Sequence, residues 1–504
     1  MTRNRPNILL ITADQWRGDC LGAAGHPSVK TPALDELAAD GTFFENHYAA
    51  TAPCSPARAS LYTGLYQMNH RVIWNGAPLD DRFDNIARAA RRAGYLPSLF
   101  GYTDTSPDPR TLAPADPNLQ SYEGTLPGFE VRQSLPEDDK PWLSWLASRD
   151  YDRRSLDTIH HVEPEAGERI SLAPTRYGAN ETQTAFLTDA FLNWHDEQEP
   201  QEPWFAHVSF LRPHPPICVP EPYNTMYDPE DDASFAGSAS IDLEAAVHPL
   251  AAALQASQKL SHIPGAKGLA RDLSQRDLRR LRALYFGMIS EVDAQIGRIL
   301  ERLKTSGDFK NTLIIFTSDH AEMMGDHGML GKGGFYRESY HIPLIIKPPA
   351  AQEAVRVPSF TSAVDIFPTL LDLLNIEPNH APDGGSLVPF VEGKAPDRWR
   401  STAIWEYDYR WLATVPEGLS LSTDGRDRSL ISRYDGTWQY VHFEKLPALL
   451  LKPNETQSTT NFAVQAETYS VQMEAMSDLL SLRMRHNEET LARKLVWDFY
   501  PAEG

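Results

Sequence analysis

The chain has 504 residues, 41% of them hydrophobic and 23% charged, an ordinary globular balance with enough length for about two to four domain-sized units. Its formal net charge of -21 argues against a nucleic-acid or anionic-membrane partner, which needs a basic face, so an anionic ligand must be held by local charges. Three cysteines, Cys20, Cys54 and Cys218, form neither an even disulfide framework nor a C-x-x-C metal pair, and a disulfide-stapled secreted fold is not expected.

The chain opens MTRNRPNILLITADQW. The apolar run Ile8 to Ile11 is too short for a signal-peptide core and leads to Asp14 rather than to a cleavage site. No run reaches membrane-spanning length, and a cytoplasmic protein is expected, in which the sequons at Asn180 and Asn454 carry no weight. Asn7 to Ala13 has the pattern of a strand buried on both faces of a parallel sheet, with Asp14 at its carboxyl end. A helix follows from Thr31-Pro32, with Thr as N-cap and Pro at the first helical position, and stops at a glycine. Further strands are expected at Tyr95 to Phe100, Trp204 to Leu211, Thr312 to Thr317 and Pro343 to Ile346. Between them Gln275 to Lys304 carries apolar residues at helical spacing, from Leu278 through Tyr285, Met288 and Ile289 to Leu303.

Strands alternating with helices predict an α/β sandwich with a mostly parallel central sheet. Residues 107–176, rich in Pro, Asp and Ser without a period, read as a long irregular insertion over the active face. After about residue 380 the texture changes to short alternating runs at Ala403 to Tyr409, Ser429 to Arg433 and Trp438 to Phe443, closed by a helix over Val471 to Leu491. The expected division is therefore a catalytic α/β domain over 1–380 and a smaller C-terminal domain of antiparallel sheet and helix over 381–504.

Cys54-Ser55-Pro56-Ala57-Arg58, followed by Leu61, Thr63 and Gly64, is the most informative stretch. Cys-x-Pro-x-Arg is the segment that maturing enzymes oxidise to formylglycine, whose hydrate carries two geminal hydroxyls, one to attack and one to expel the product. Alone, the five residues read as readily as a buried Cys before a helix-starting Pro. Two other pairs decide the matter. Asp14-Gln15 and Asp319-His320 each follow an apolar strand, and ligands of open α/β sheets bind at those carboxyl ends. Either pair alone is an ordinary strand-end turn; with Cys54 they make a ligand set of Asp14, Gln15, Asp319, His320 and an oxygen of modified residue 54. An imidazole among hard oxygens favours manganese, iron or zinc; manganese is the expected ion and calcium the alternative.

On NILLITADQWRGD, CSPARASLYTGLY, NHRVIWN, GYTDTSPDPRT, RPHPP, TLIIFTSDHAEMMGDHGMLGKGGFYRESYHIPLIIK and TWQYVHF, in that order from Asn7 to Phe443, the chain resembles the sulfatase family of the alkaline phosphatase superfamily. Within it the resemblance is to phosphonate monoester hydrolases and nearby arylsulfatases. It implies an alkaline phosphatase-like fold, Cys54 as formylglycine nucleophile, Asp14, Gln15, Asp319 and His320 as metal ligands, and Arg58 holding the nucleophile's hydrate. It also implies Asn75, Tyr102, His214 and Lys332 as contacts to substrate and leaving-group oxygens. These types suit a tetrahedral anion, which fixed cations and donors stabilise. Outside the motif Arg58 would read as a helix-surface arginine and His214 as a solvated loop histidine.

Gly331-Lys332-Gly333-Gly334 lacks the spacing and the Ser or Thr of a nucleotide-phosphate loop. Asp326 and His327 read as a structural pair behind His320 or as direct participants. Asp104 departs from the threonine-rich stretch expected after Gly101-Tyr102; a carboxylate beside a bound anion repels it unless protonated or paired, which leaves room for a cationic or polyhydroxylated substrate part.

The leading expectation is metal- and formylglycine-dependent hydrolysis of sulfate monoesters, with phosphonate monoesters and phosphodiesters as a second or main activity. An unmodified metal-dependent phosphoesterase and a non-catalytic metal-binding interaction protein are the rivals; the cations Arg58 and Lys332 and the imidazole of His214 argue against the last. The partners implied are a small sulfate, phosphonate or phosphate ester and a formylglycine-generating enzyme. The resemblance also implies a dimer or tetramer, for which the tail after Val471, with Leu479, Leu480 and Leu482, is a candidate arm; a helix packed on its own small domain is the more economical reading.

Overall fold

In the computed structural model, which describes residues 5–149, 151–152, 158–163, 165–199, 202–231, 234–238, 240–349, 353–412, 428–455 and 459–487, β1 (Asn7–Ala13) is buried at every position. Ile8 and Leu10 enter one hydrophobic core, while Leu9, Ile11 and Ala13 enter another on the opposite face. That two-sided burial is why the segment reads as an unbroken apolar run rather than an alternating one.

Eight strands form the large sheet: β1, β2 (Thr42–Tyr48), β4 (Pro97–Gly101), β5 (Glu130–Ser134), β6 (Phe205–Phe210), β7 (Thr312–Thr317), β8 (Leu344–Lys347) and β9 (Val355–Ser362), in the spatial order β5-β4-β6-β1-β7-β8-β2-β9. The run β5-β4-β6-β1-β7 is parallel throughout, and only β8 lies antiparallel to its neighbours β7 and β2. The mostly parallel sheet is therefore as expected. Helix α1 (Pro32–Ala39) starts at the expected proline, but Thr31 makes no cap bond; its hydroxyl goes to Asp35, and the carboxylate of Asp293 from the long helix Gln275–Ser306 accepts from the N–H groups of Ala33 (3.1 Å) and Leu34 (2.9 Å). The long helix itself begins on a Ser274–Asp277 capping box and ends at Gly307 in the left-handed region.

The segment 107–176 is less irregular than expected. It contains β5, the edge of the large sheet, and a helix over Lys140–Ala147 anchored by buried Trp142 and Leu146. β5 escapes a periodicity search because an edge strand covered on neither flank tolerates the polar sequence EVRQS.

A second sheet has the order β13-β12-β11-β10-β3, from β10 (Ala403–Asp408), β11 (Ser429–Tyr434), β12 (Gln439–Phe443), β13 (Leu449–Leu451) and the two-residue β3 (Thr51–Ala52). The four C-terminal strands are antiparallel, as expected; β3 comes from the other end of the chain and pairs parallel to β10. The closing helix spans Tyr469–Arg485, packing Ala475 and Leu479 on this sheet, and the expected continuation over 488–491 lies outside the described residues. Among the described residues no helix is long and apolar enough to cross a membrane.

Candidate active site

Four adjacent parallel strands end at one cleft. β1 delivers Asp14 and Gln15, β7 delivers Ser318, Asp319 and His320, β4 leads to Tyr102 and Asp104, and β6 leads to Arg212 and His214. The fifth contribution is helix α2 (Cys54–Thr63), which follows β3 directly and is buried along its whole length. Its C-terminus turns at Gly64 in the left-handed region, where an added Cβ would also press on Phe367 and Pro382. Cys54 is thus the first residue of a fixed helix, at the positive end of its dipole. The Ser55 N–H in the same turn donates to Asn75 Oδ1 at 3.0 Å.

Around Cys54 the polar atoms converge. Its Sγ lies 3.2 Å from His320 Nε2 and accepts from Lys332 Nζ at 3.1 Å. The same ammonium donates to Gln15 Oε1 at 2.9 Å, while Gln15 Nε2 donates to Glu322. Arg58 does not reach back to the sulfur; its guanidinium bridges Asp14 (3.1 Å) and Asp319 (3.2 Å), donates to Ser209 Oγ at 2.9 Å and lies over the Tyr102 ring. The Tyr102 hydroxyl donates to Asp14 Oδ2 at 2.7 Å, so this residue holds an aspartate.

The charges do not balance without a cation. Asp14, Asp104 and Asp319 all surround Arg58, and among the described residues buried Asp14 Oδ1 accepts no hydrogen bond. Burial and the neighbouring Asp14 push Asp319 above the usual carboxylate range, and burial pushes Asp104 up as well. Asp14 is held low against its burial by its charged neighbours, the Lys332 ammonium and the Arg58 guanidinium. Loss of water and the Lys332 ammonium bring His320 down to about 3, leaving a neutral imidazole. Donor atoms of Asp14, Cys54, Asp319 and His320 lie within 4.8 Å of one another. An orphaned carboxylate oxygen, an excess of acid and a neutral imidazole in one buried group fit a divalent cation.

A profile of the sulfatase family matches residues 6–376, and one described as N-sulphoglucosamine sulphohydrolase, C-terminal, matches residues 325–480. The chain belongs to the sulfatase family. It is therefore a hydrolase, as expected. The solved phosphonate monoester hydrolase of Agrobacterium radiobacter superposes with a TM-score of 0.92 at 52% identity, covering 98% of both chains. The multifunctional alkaline phosphatase superfamily protein PehA of Trinickia caryophylli is 36% identical over 97% of each chain. An arylsulfatase of Clostridium perfringens is 28% identical over 96% of this chain and 95% of its own.

The expected residues do not all meet in this family site. Cys54, Asp14, Gln15, Asp319, His320, Lys332, Arg58 and Tyr102 are joined by the contacts above. His214 stands beside them, its Nδ1 2.9 Å from the Pro215 carbonyl, and burial with Lys332 brings it down to about 3. Asp104 is 3.8 Å from Arg58 in a left-handed backbone conformation, with one buried oxygen unpartnered. The pair Asp326 and His327 corrects the reading that put it behind His320. Asp326 sits between Arg17 (2.6 Å) and Arg282 (2.9 Å), and His327 pairs with Glu244 (3.0 Å) and stacks on Tyr336. Gly325 and His327 both take positive φ, and that double turn carries the pair away from the strand end. Glu322 and Ser209 were missed. Glu322 stood in the same motif as Asp319, but no residue type or spacing marks it as the acceptor for Gln15.

Proposed function

We propose that the chain hydrolyses singly charged tetrahedral esters through a formylglycine made from Cys54, with phosphonate monoesters and phosphodiesters first and sulfate monoesters in the same site. The sequence alone put sulfate first; the likeness to a protein called phosphonate monoester hydrolase at 52% identity over 98% of both chains shifts the weight. The reading with sulfate monoesters as main substrate stays open through the arylsulfatase relative. The observation that carries the proposal is the burial of a cysteine on a helix N-terminus within 3.2 Å of both an imidazole and an ammonium.

A formylglycine hydrate at residue 54 would supply the attacking and the product-releasing hydroxyls, and a divalent ion, manganese in this proposal, held by Asp14, Gln15, Asp319 and His320 would lower their pKa. Arg58 fixes the two aspartates relative to each other, and Tyr102 fixes Asp14 from the other side. Burial alone would lower the Lys332 ammonium, but the Cys54 sulfur raises it in the unmodified protein and Asp14 and Asp319 raise it in either form, so it stays charged and donates to the leaving oxygen. His214 stays neutral with Nδ1 donating to Pro215, and its Nε2 is the position that takes up or returns a proton. Asn75 and Asp104 belong to the substrate side of the same site. The division at residue 380 is part of the proposal, supported by the large sheet ending at Ser362 and β10 starting at Ala403. So is a homo-oligomer, supported by exposed Met473, Leu480 and Met484 on the closing helix.

Mass spectrometry across residue 54 after coexpression with a formylglycine-generating enzyme, followed by paired assays of an aryl phosphonate monoester and an aryl sulfate, tests it. Conversion with turnover of either ester is expected. An intact thiol with no turnover, despite competent maturation, overturns the reaction.

A further inference from the structure

A cavity of about 340 Å³ opens beside the site, and its position identifies what it receives. Gly331 lines it, one residue before Lys332; Pro215 lines it, one residue after His214; Glu322 lines it and holds Gln15. Lys332 and His214 are the two groups assigned to the leaving oxygen, so the cavity lies where the substituent on that oxygen must go. This step rests on the proposed reaction.

The walls are apolar: Pro215, Ile217, Ile263, Met324, Leu330 and Trp411. Trp411 lies flat on Trp74, ring centroids 5.6 Å apart and 23° between planes. The polar groups of the wall are already spent within the protein. Gln258 donates to the Leu330 carbonyl at 2.7 Å and accepts from the Leu330 N–H at 3.0 Å. Ser257 donates to Leu254, the Trp411 indole N–H donates to Tyr407 at 2.7 Å, and Glu322 accepts from Gln15, Met324 and Gly331. A sugar alcohol placed here would leave hydroxyls unmatched, and burying an unmatched polar group is unfavourable. A flat apolar group loses nothing.

At the rim the chemistry changes. Lys259, Ser261 and His262 are exposed where the cavity meets solvent, and among the lining residues the only carboxylate is Glu322, buried and fully hydrogen-bonded. The exposed rim thus offers a lysine ammonium beside an imidazole, with the one lining carboxylate turned inward. We infer that the cavity binds the alcohol part of the ester as a planar apolar group carrying an anionic substituent at its outer end, read by Lys259 and His262, and that it selects against saccharide esters.

The test uses the matured full-length protein with phenyl and 4-carboxyphenyl methylphosphonate, and with the corresponding sulfates. Lys259→Glu is expected to lower kcat/KM for the carboxylated ester about tenfold more than for the phenyl ester, an effect that shrinks with added salt. Trp411→Ala is expected to raise KM for both about tenfold with a smaller change in kcat. Equal losses on the two esters in Lys259→Glu overturn the inference. A second readout needs no turnover: 4-hydroxybenzoate should quench tryptophan fluorescence at lower concentration than phenol, and Lys259→Glu should abolish that preference. Preference present with no ester hydrolysed sustains the cavity assignment and sinks the proposed reaction; no preference sinks the assignment.

Discussion

Asp319 and Asp326 leave the end of the same strand, both buried and both against arginine, yet their surroundings are opposites. Asp326 lies between two guanidiniums, Arg17 and Arg282, accepts a backbone N–H from Ala236 and is held below the usual carboxylate range despite its burial. Asp319 shares its one guanidinium with Asp14 and Asp104 and is pushed upward. The first cluster is complete and ties the 234–238 segment to the core. The second is left short of positive charge, which is the state of a site that takes up a cation.

The largest way to break this contrast is at the nucleophile. Cys54→Ala in matured, metal-loaded protein should reduce ester hydrolysis at least about a thousandfold, with the fold unchanged by circular dichroism. Activity near wild type would show that the unbalanced cluster works without residue 54.

Next, the two aspartates should respond very unequally when metal is withheld. Asp326→Asn takes the carboxylate from buried Arg282, leaves Arg17 to Asp19 alone, and should cost about 3–5 kcal/mol in urea unfolding with chelator present. Asp319→Asn removes one of three crowded acids and should cost less than about 1 kcal/mol or raise stability. Manganese at about 100 times its Kd should add about 2.7 kcal/mol to wild type and nothing to Asp319→Asn.

A third buried acid sharpens the point because it forms no ion pair among the described residues. Glu291 accepts hydroxyls from Thr182 (2.6 Å) and Thr184 (2.9 Å), and burial raises it to about 7. The folded state then binds this proton more tightly than the unfolded one, so stability should fall as pH rises from about 4 through about 7. Glu291→Gln should flatten that stretch of the pH profile by about 3 kcal/mol in denaturation midpoints converted to free energy. An unchanged slope would mean that other groups carry it.

The smallest expected effect lies at Tyr102. Tyr102→Phe deletes the O–H donated to Asp14 and should weaken metal binding about tenfold by titration calorimetry, leaving metal-free stability nearly constant.

The sequence was legible where burial on two faces imposes a pattern. β1 and β7 read as apolar runs with an acid at the carboxyl end, and both lie where that pattern put them. The long helix was legible because its large apolar residues keep helical spacing over its length, although 280–293 are buried on every side. β5 and β3 were not: one is a polar edge and the other is two residues long, and their place depends on partners far away in the chain. In the site, the strand-end pairs and the cysteine motif located the centre. What the residue types could not show was direction. Arg58 and Tyr102 turn toward the aspartates, and Asp326 and His327 turn away from His320, because backbone turns and packing rather than spacing set where a side chain points.

The pairing of β3 with β10 joins the segment just ahead of Cys54 to a strand made near the end of synthesis, Thr51 to Glu406 and Ala52 to Tyr407. A nascent chain elongating at about 5–20 residues per second therefore carries Cys54 for tens of seconds with no strand available to pin the residues before it. Under the conversion proposed above, a maturing enzyme would have that interval to reach Cys54 before the small sheet assembles. The sheet that steadies residue 54 in the finished protein would then also time its conversion.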